Sequence, residues 1–244
     1  MSEKPLRGWA SRLILCFTII LAFPWGFDVN AAERIPFPVK PVTIARVIDG
    51  DTFAIEALPG IATDANNPDE CKYRVRLIGL DTPERGRLGY EEAKQELEKL
   101  LPPETLVLLT PDLDERDGAS PWRWLAYVGT DDGKDVGAEM VRSGWAVAWR
   151  YLPNCARHDY YRSLMYDAFT EERGLFDPEL TDDDGLSAVY VASDDEDCYH
   201  RPGCGHTERI KLRNIVCVLK AQDFVTAGKV ACKHCLNPEE VVWD

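Results

Sequence analysis

The chain has 244 residues, 45% of them hydrophobic, and a formal net charge of −14 at pH 7. That length and apolar content exclude a chain too poor in hydrophobic residues to fold, and they suffice for one domain plus a small second one. The acidity argues against a uniformly basic nucleic-acid binder, but it is unevenly placed: residues 177–197 hold nine acids and no base, while 198–236 hold seven Lys+Arg against two acids.

Lys4, Arg7 and Arg12 precede an apolar run over 13–23, and Val29-Asn30-Ala31 offers small residues where a signal peptidase reads. The run is short for a membrane span, so residues 1–31 read as a secretory signal; the alternative is an uncleaved anchor. Residues 42–46 and 52–55 read as a first hairpin, turned at Asp49-Gly50-Asp51. A polar loop follows over 60–70. A strand begins at Arg74 and ends in the turn Asp81-Thr82-Pro83-Glu84, which Pro83 stiffens by fixing its own φ and holding Thr82 extended. Residues 90–101 read as a helix, 105–110 and 122–128 as strands, and 136–143 and 159–173 as helices.

Arg76 lies on a strand face aimed at a rigid acidic turn, an arrangement odd for a core strand and ordinary where a cation and a phosphate meet. Three pieces occur in order: the Asp-Gly-Asp-Thr turn at 49–52, the strand running from Arg76 to Asp81-Thr82-Pro83-Glu84, and Arg123 ahead of Leu125-Ala126-Tyr127. Together they resemble the staphylococcal nuclease (thermonuclease) family, over about 42–176. The resemblance implies an α+β fold, a five-stranded OB-type β-barrel with about three helices. It implies Ca²⁺ held by the Asp51 and Asp81 side chains and the Thr82 carbonyl, with Glu84 orienting or deprotonating the attacking water. Arg76 and Arg123 would clamp the phosphate, since a planar guanidinium matches its oxygens bidentately. DNA and RNA substrates cut to 3′-phosphate products are implied in the same way. Where the family has Tyr-Gly before the second arginine, this chain has Pro121-Trp122, which puts one phosphate contact in question. Trp149 and Tyr151 lie where the family carries base-stacking aromatics; each either stacks on a base or caps the barrel.

Residues 177–197 read as an acidic linker, and 198–236 as a separate module. There, His200, Cys204, Cys232 and Cys235 have the composition of a closed Cys₃His zinc site. A module this small has little core, so a metal clip is reasonable; two disulfides are the alternative in an exported chain. The pattern resembles the zinc-binding N-terminal domain of the Ada DNA-repair protein, with His200 where that family usually has Cys. His206 and His234 read as solvent-facing. Cys71, Cys155, Cys198 and Cys217 allow three pairings, of which Cys71–Cys155 is favoured.

The whole reads as an exported, Ca²⁺-dependent nuclease with a zinc-binding tail, acting on nucleic acid; the sequence leaves the oligomeric state open, with a monomer favoured. Two rivals are a non-catalytic nucleic-acid-binding barrel and an envelope adaptor held by its uncleaved N-terminus.

Overall fold

The computed structural model of the chain describes residues 41–56, 74–118, 123–182 and 186–236. The expected signal segment, the loop over 60–70, Cys71 and the Pro121-Trp122 pair lie outside the described residues. The described residues fall within one compact unit. None of their helices is long and apolar enough to cross a membrane.

Five strands close into a barrel: β1 (Val42–Val47), β2 (Thr52–Ile55), β3 (Arg74–Leu77), β5 (Leu106–Thr110) and β6 (Trp124–Thr130), in the order β1-β2-β3-β6-β5. A two-residue strand, β4 (Leu80–Asp81), continues from β3 and pairs instead with β7 (Val147–Ala148). Alternation shapes β3, where Val75 and Leu77 are buried while Arg74 and Arg76 are half-buried. In β6 alternation is absent, because Trp124 through Val128 are all buried. A strand buried on both faces reads as a continuous apolar run: one face of β6 closes the barrel and the other meets the helices.

Those helices are α1 (Tyr90–Leu100), α2 (Val136–Arg142) and α3 (His158–Thr170). Helix α1 buries Tyr90, Ala93 and Leu97 and carries Glu91 and Glu92 in its first turn, where acids suit the helix dipole. Helix α2 is capped by Asp135, whose carboxylate accepts from the Ala138 N–H at 3.2 Å. The same carboxylate accepts from Arg157 at 2.6 Å and from the Tyr161 hydroxyl at 2.8 Å, tying α3 to the start of α2. The five-stranded α+β barrel expected from the sequence is the observed one.

The tail differs from its expectation in two respects: the expected linker contains a strand, and the expected separate module shares the barrel's core. Strand β8 (Tyr190–Ser193) lies inside the stretch read as an acidic linker, and Ala188 through Ser193 are buried. The acids cluster on either side of this apolar run, so an average over 177–197 concealed it. Strand β8 is central to a second sheet with β9 (Cys198–His200), β10 (Ile215–Val218) and β11 (Val230–Ala231), ordered β10-β8-β9-β11. Val189, Val191, Ile215 and Cys217 belong to the same hydrophobic core as the barrel. Arg162 of α3 fastens the join, donating to the carbonyls of Arg213 at 2.6 Å and Ile215 at 2.9 Å. A short helix, α4 (Ala221–Thr226), packs Phe224 on Tyr199, with ring centroids 5.6 Å apart.

Candidate functional site

Strand register assembles the first site. Thr52 pairs with Arg76 across β2 and β3, and Val75 pairs with Trp124 across β3 and β6. Asp51 precedes Thr52 and Arg123 precedes Trp124, so three residues distant in sequence arrive at one rim of the barrel. A further bond locks Asp51, whose carbonyl accepts from the Leu77 N–H at 2.8 Å. The two acidic turns are pressed together at Gly50. A Cβ there would stand 2.8 Å from Thr82 Oγ1 and 2.9 Å from the Ala93 Cβ, so only glycine lets them approach this closely.

Arg76 is the hub. Its Nη2 lies 2.9 Å from Asp51 Oδ2 and 2.8 Å from Asp81 Oδ1, and its Nη1 donates to Asp51 Oδ1 at 3.0 Å. Two carboxylates from separate turns thus share one guanidinium. Asp51 is only 3% exposed. Burial pushes its carboxyl up to about 7, against the pull of Arg76 and the Thr52 hydroxyl and with help from the nearby charges of Asp49 and Asp81. Burial likewise raises Asp81, with Arg76 opposing and Glu84 adding. Arg76 itself is raised: Asp51 and Asp81 outweigh the cost of its own burial. The buried Asp51 carboxyl and the half-buried Asp81 carboxyl, with a buried Thr82 beside them, form a hard-oxygen donor set that fits a divalent cation.

Arg123 is held from the other side. Asp117 accepts from its backbone N–H at 2.7 Å and from its Nε at 2.6 Å, and its Nη1 lies 3.4 Å from Thr52 Oγ1. Thr52 in turn donates to Asp51 Oδ1 at 2.8 Å, completing a chain from Asp117 to Asp81. Sequence reasoning gave Asp117 no role; its spacing from Arg123 carries no signal until the loop folds back. Glu84 is exposed at the edge of the cluster. Trp149 and Tyr151 line a cavity of about 400 Å³ together with Arg76 and Arg123. Trp149 is fixed by its backbone N–H, which donates to the Gly79 carbonyl at 2.9 Å.

A second constellation lies in the tail. The ligand atoms of His200, Cys204, His206 and Cys232 all lie within 4.8 Å of one another. His200 Nδ1 and His206 Nδ1 stand 3.5 and 3.6 Å from Cys204 Sγ. Cys235, expected in this set, is not one of these four; burial raises its thiol, with Cys204 and Cys232 adding to the shift. His206, expected to face solvent, is exposed yet turns its ring into the cluster, stacked against His234 with centroids 4.8 Å apart. It sits two residues past Cys204, where a short loop returns it. Burial raises the Cys232 thiol, but the His234 and Cys235 backbone N–H groups and neighbouring thiols bring it below its ordinary value. Burial, then His206, lowers His200, favouring a neutral imidazole. Soft sulfur and imidazole donors at this density suit a metal such as zinc. Among the described residues Cys155, Cys198, Cys204, Cys217, Cys232 and Cys235 are free thiols, and the favoured Cys71–Cys155 pairing involves a residue outside them.

Comparison with known proteins follows these lines. The family model described as "Staphylococcal nuclease homologue" matches residues 74–177. The "Thermonuclease" of Staphylococcus intermedius is 35% identical over 133 residues, covering 52% of this chain and 68% of that protein. The "Probable endonuclease LCL3" of Clavispora lusitaniae is 27% identical over 157 residues, covering 54% of this chain; the chain spans 65% of that protein's length. The protein of the same name from Meyerozyma guilliermondii is 28% identical over 158 residues, covering 54% of this chain and 66% of its own length. The matched region holds Arg76, Asp81, Glu84 and Arg123 on a closed five-stranded barrel, and the chain belongs to the staphylococcal nuclease family.

Proposed function

We propose that this chain is an exported, Ca²⁺-dependent nuclease that hydrolyses phosphodiester bonds of DNA, RNA or both, leaving 3′-phosphate ends. The observation that carries this reading is the convergence of Asp51 and Asp81 on Arg76, with Arg123 facing the same rim through Thr52. The names printed for its relatives, endonuclease and thermonuclease, support the same class of reaction.

Asp51, Asp81 and the Thr82 carbonyl would hold the ion, which supplies Lewis-acid polarisation of a phosphoryl oxygen when bound. Glu84, exposed beside Asp81, takes a proton from the attacking water. Arg76 and Arg123 neutralise the charge that grows on the phosphoryl oxygens, and their fixed positions spare reorganisation during the reaction. Asp117 is a positioning residue: its two bonds aim the Arg123 guanidinium across the rim.

A plasmid-nicking assay tests the reading. Wild type cuts with Ca²⁺ and stops with chelator, while Glu84→Gln and Arg123→Ala each lower kcat by about 10²–10³-fold. Binding without cutting at every Ca²⁺ level would favour a non-catalytic barrel instead.

In the tail, zinc held by His200, Cys204 and Cys232 is the proposed occupant, with the fourth position taken by Cys235 or His206. The close packing of these groups and the free thiols support it over disulfides. Metal analysis with thiol counting, repeated on Cys235→Ser and His206→Ala, separates the two ligand sets. Export rests on the sequence of residues 1–31 alone; N-terminal sequencing of the mature protein tests it.

A further inference from the structure

A phosphodiester joins two nucleosides, so a site that engages one must accommodate a group on each side of the phosphorus. Two cavities flank Trp149. The first, about 400 Å³, is made by the barrel alone, between Arg76, Arg123 and Tyr151. The second, about 230 Å³, opens on the other side, from Asp81 and Glu84 to Leu219, Lys220 and Gln222 of the tail. Trp149, 37% exposed, lines both.

We infer that the second cavity is a nucleoside subsite, and that Lys220 and Gln222 of the tail bind the substrate on the side of the scissile phosphate opposite the barrel's own cavity. This rests on the nuclease reading. The chemistry of the wall fits a nucleobase. Trp149, Tyr190 and Leu219 present aromatic and apolar surface to a flat ring, and base-aromatic stacking tolerates any sequence. The Gln222 amide both donates and accepts, as base edges do. Ligand pockets usually occupy about 300–1,000 Å³, so this cavity is sized for one ring system rather than a whole nucleotide.

Charge points the same way. Asp182 and Asp223 stand on the rim, and alone they would repel a polyanion. Lys220 and Arg87 share that rim, and the Lys220 charge reaches Asp81, offsetting a little of the rise that burial causes there. An ammonium there meets the phosphate backbone as it passes the carboxylates. The join between tail and barrel gives this wall a fixed position: Ile215 and Cys217, just upstream of Lys220, are buried in the barrel's core. The tail therefore completes the cleft.

The test compares a dinucleotide joined by a phosphorothioate, dT-dT, with dTMP, by calorimetric titration in Ca²⁺, alongside cleavage of ordinary dT-dT. Lys220 and Gln222 are exposed, so Lys220→Glu and Gln222→Trp leave the fold intact. Both variants should lower the dinucleotide-to-mononucleotide affinity ratio about tenfold, the size of one charge-assisted contact. KM for dT-dT should rise by a similar factor with kcat held within about twofold. An unchanged ratio in both variants, with dT-dT still cleaved by wild type, overturns the subsite and leaves the nuclease reading standing. A lowered ratio with no cleavage by wild type sustains the subsite and sinks the nuclease reading. An unchanged ratio with no cleavage sinks both.

Discussion

The barrel rim and the tail cluster both gather donor groups from distant parts of the chain, but they are held in different ways. At the rim, ladder register and the Gly50–Thr82 contact fix Asp51, Arg76 and Arg123, and a large hydrophobic core stands behind them. In the tail, the ligand atoms of His200, Cys204, His206 and Cys232 crowd together beside a small core, seven buried residues among those described, including Tyr199, Phe224 and Leu236. The rim is built of hard oxygen and guanidinium, the tail of soft sulfur and imidazole. One site is shaped by the fold, whereas the other, on the proposed zinc reading, helps to make it.

The contrast is tested most severely by removing metal. Structural zinc contributes about 10–16 kcal/mol of apparent binding free energy in small domains. A strong chelator should therefore abolish hydrogen-exchange protection in β9 and β11 while β1, β2, β3 and β6 keep theirs. Strand β8 should resist, because Val189 and Val191 are anchored in the shared core. Equal loss in both regions would erase the distinction.

Arg76→Met attacks the other region. It leaves Asp51 and Asp81 facing each other without their shared guanidinium; breaking a fully buried pair costs about 3–5 kcal/mol, and this half-buried one should cost less, about 2 kcal/mol. Urea denaturation should show that loss in chelator and partial recovery in Ca²⁺. A variant as stable as wild type would mean that burial, not charge, holds the two turns.

Gly50→Ala is a finer probe. The added methyl would meet Thr82 and Ala93 at 2.8–2.9 Å, and overpacking of this kind costs about 1–3 kcal/mol. Stability and Ca²⁺ affinity should fall together, since the methyl pushes the two acidic turns apart. A fall in stability with unchanged Ca²⁺ affinity would show that the two turns can separate without harming the ion site.

The smallest effect is alkaline. Burial pushes the Tyr127 hydroxyl up to about 12, with the Asp112 carboxylate adding to the shift, and burial raises Tyr161 as well. An unfolded tyrosine ionises near 10, so above that pH the unfolded chain binds fewer protons and stability falls. The contribution is fully present below about pH 10 and is lost as pH rises through about 12. The loss should reach about 1 kcal/mol at pH 11. Circular dichroism melts from pH 9 to 11 should fall accordingly, and Tyr127→Phe should flatten part of the slope. A flat profile in wild type would contradict the buried setting of both rings.

Much of the barrel was legible because its signals are local. The alternation in β3, the apolar run of β6 and the α1 face of Ala93 and Leu97 each fall within a few residues. The motif residues of the rim were legible for the same reason. Asp117 was not, because it acts by folding its loop onto Arg123. Strand β8 was hidden by flanking acids, and His206, read as solvent-facing, joins the cluster only when its loop folds back.

By itself, the order of residues determined the five strands, the chemistry of Asp51, Arg76, Asp81, Glu84 and Arg123, and the concentration of soft donors in the tail. Local periodicity and side-chain chemistry suffice for such statements. Tertiary structure alone decided that Arg76 bridges two carboxylates, that the tail shares the barrel's core, and that Lys220 faces Asp81 across a cavity. These depend on strand register and on packing between segments far apart in the chain, which no short window of sequence encodes.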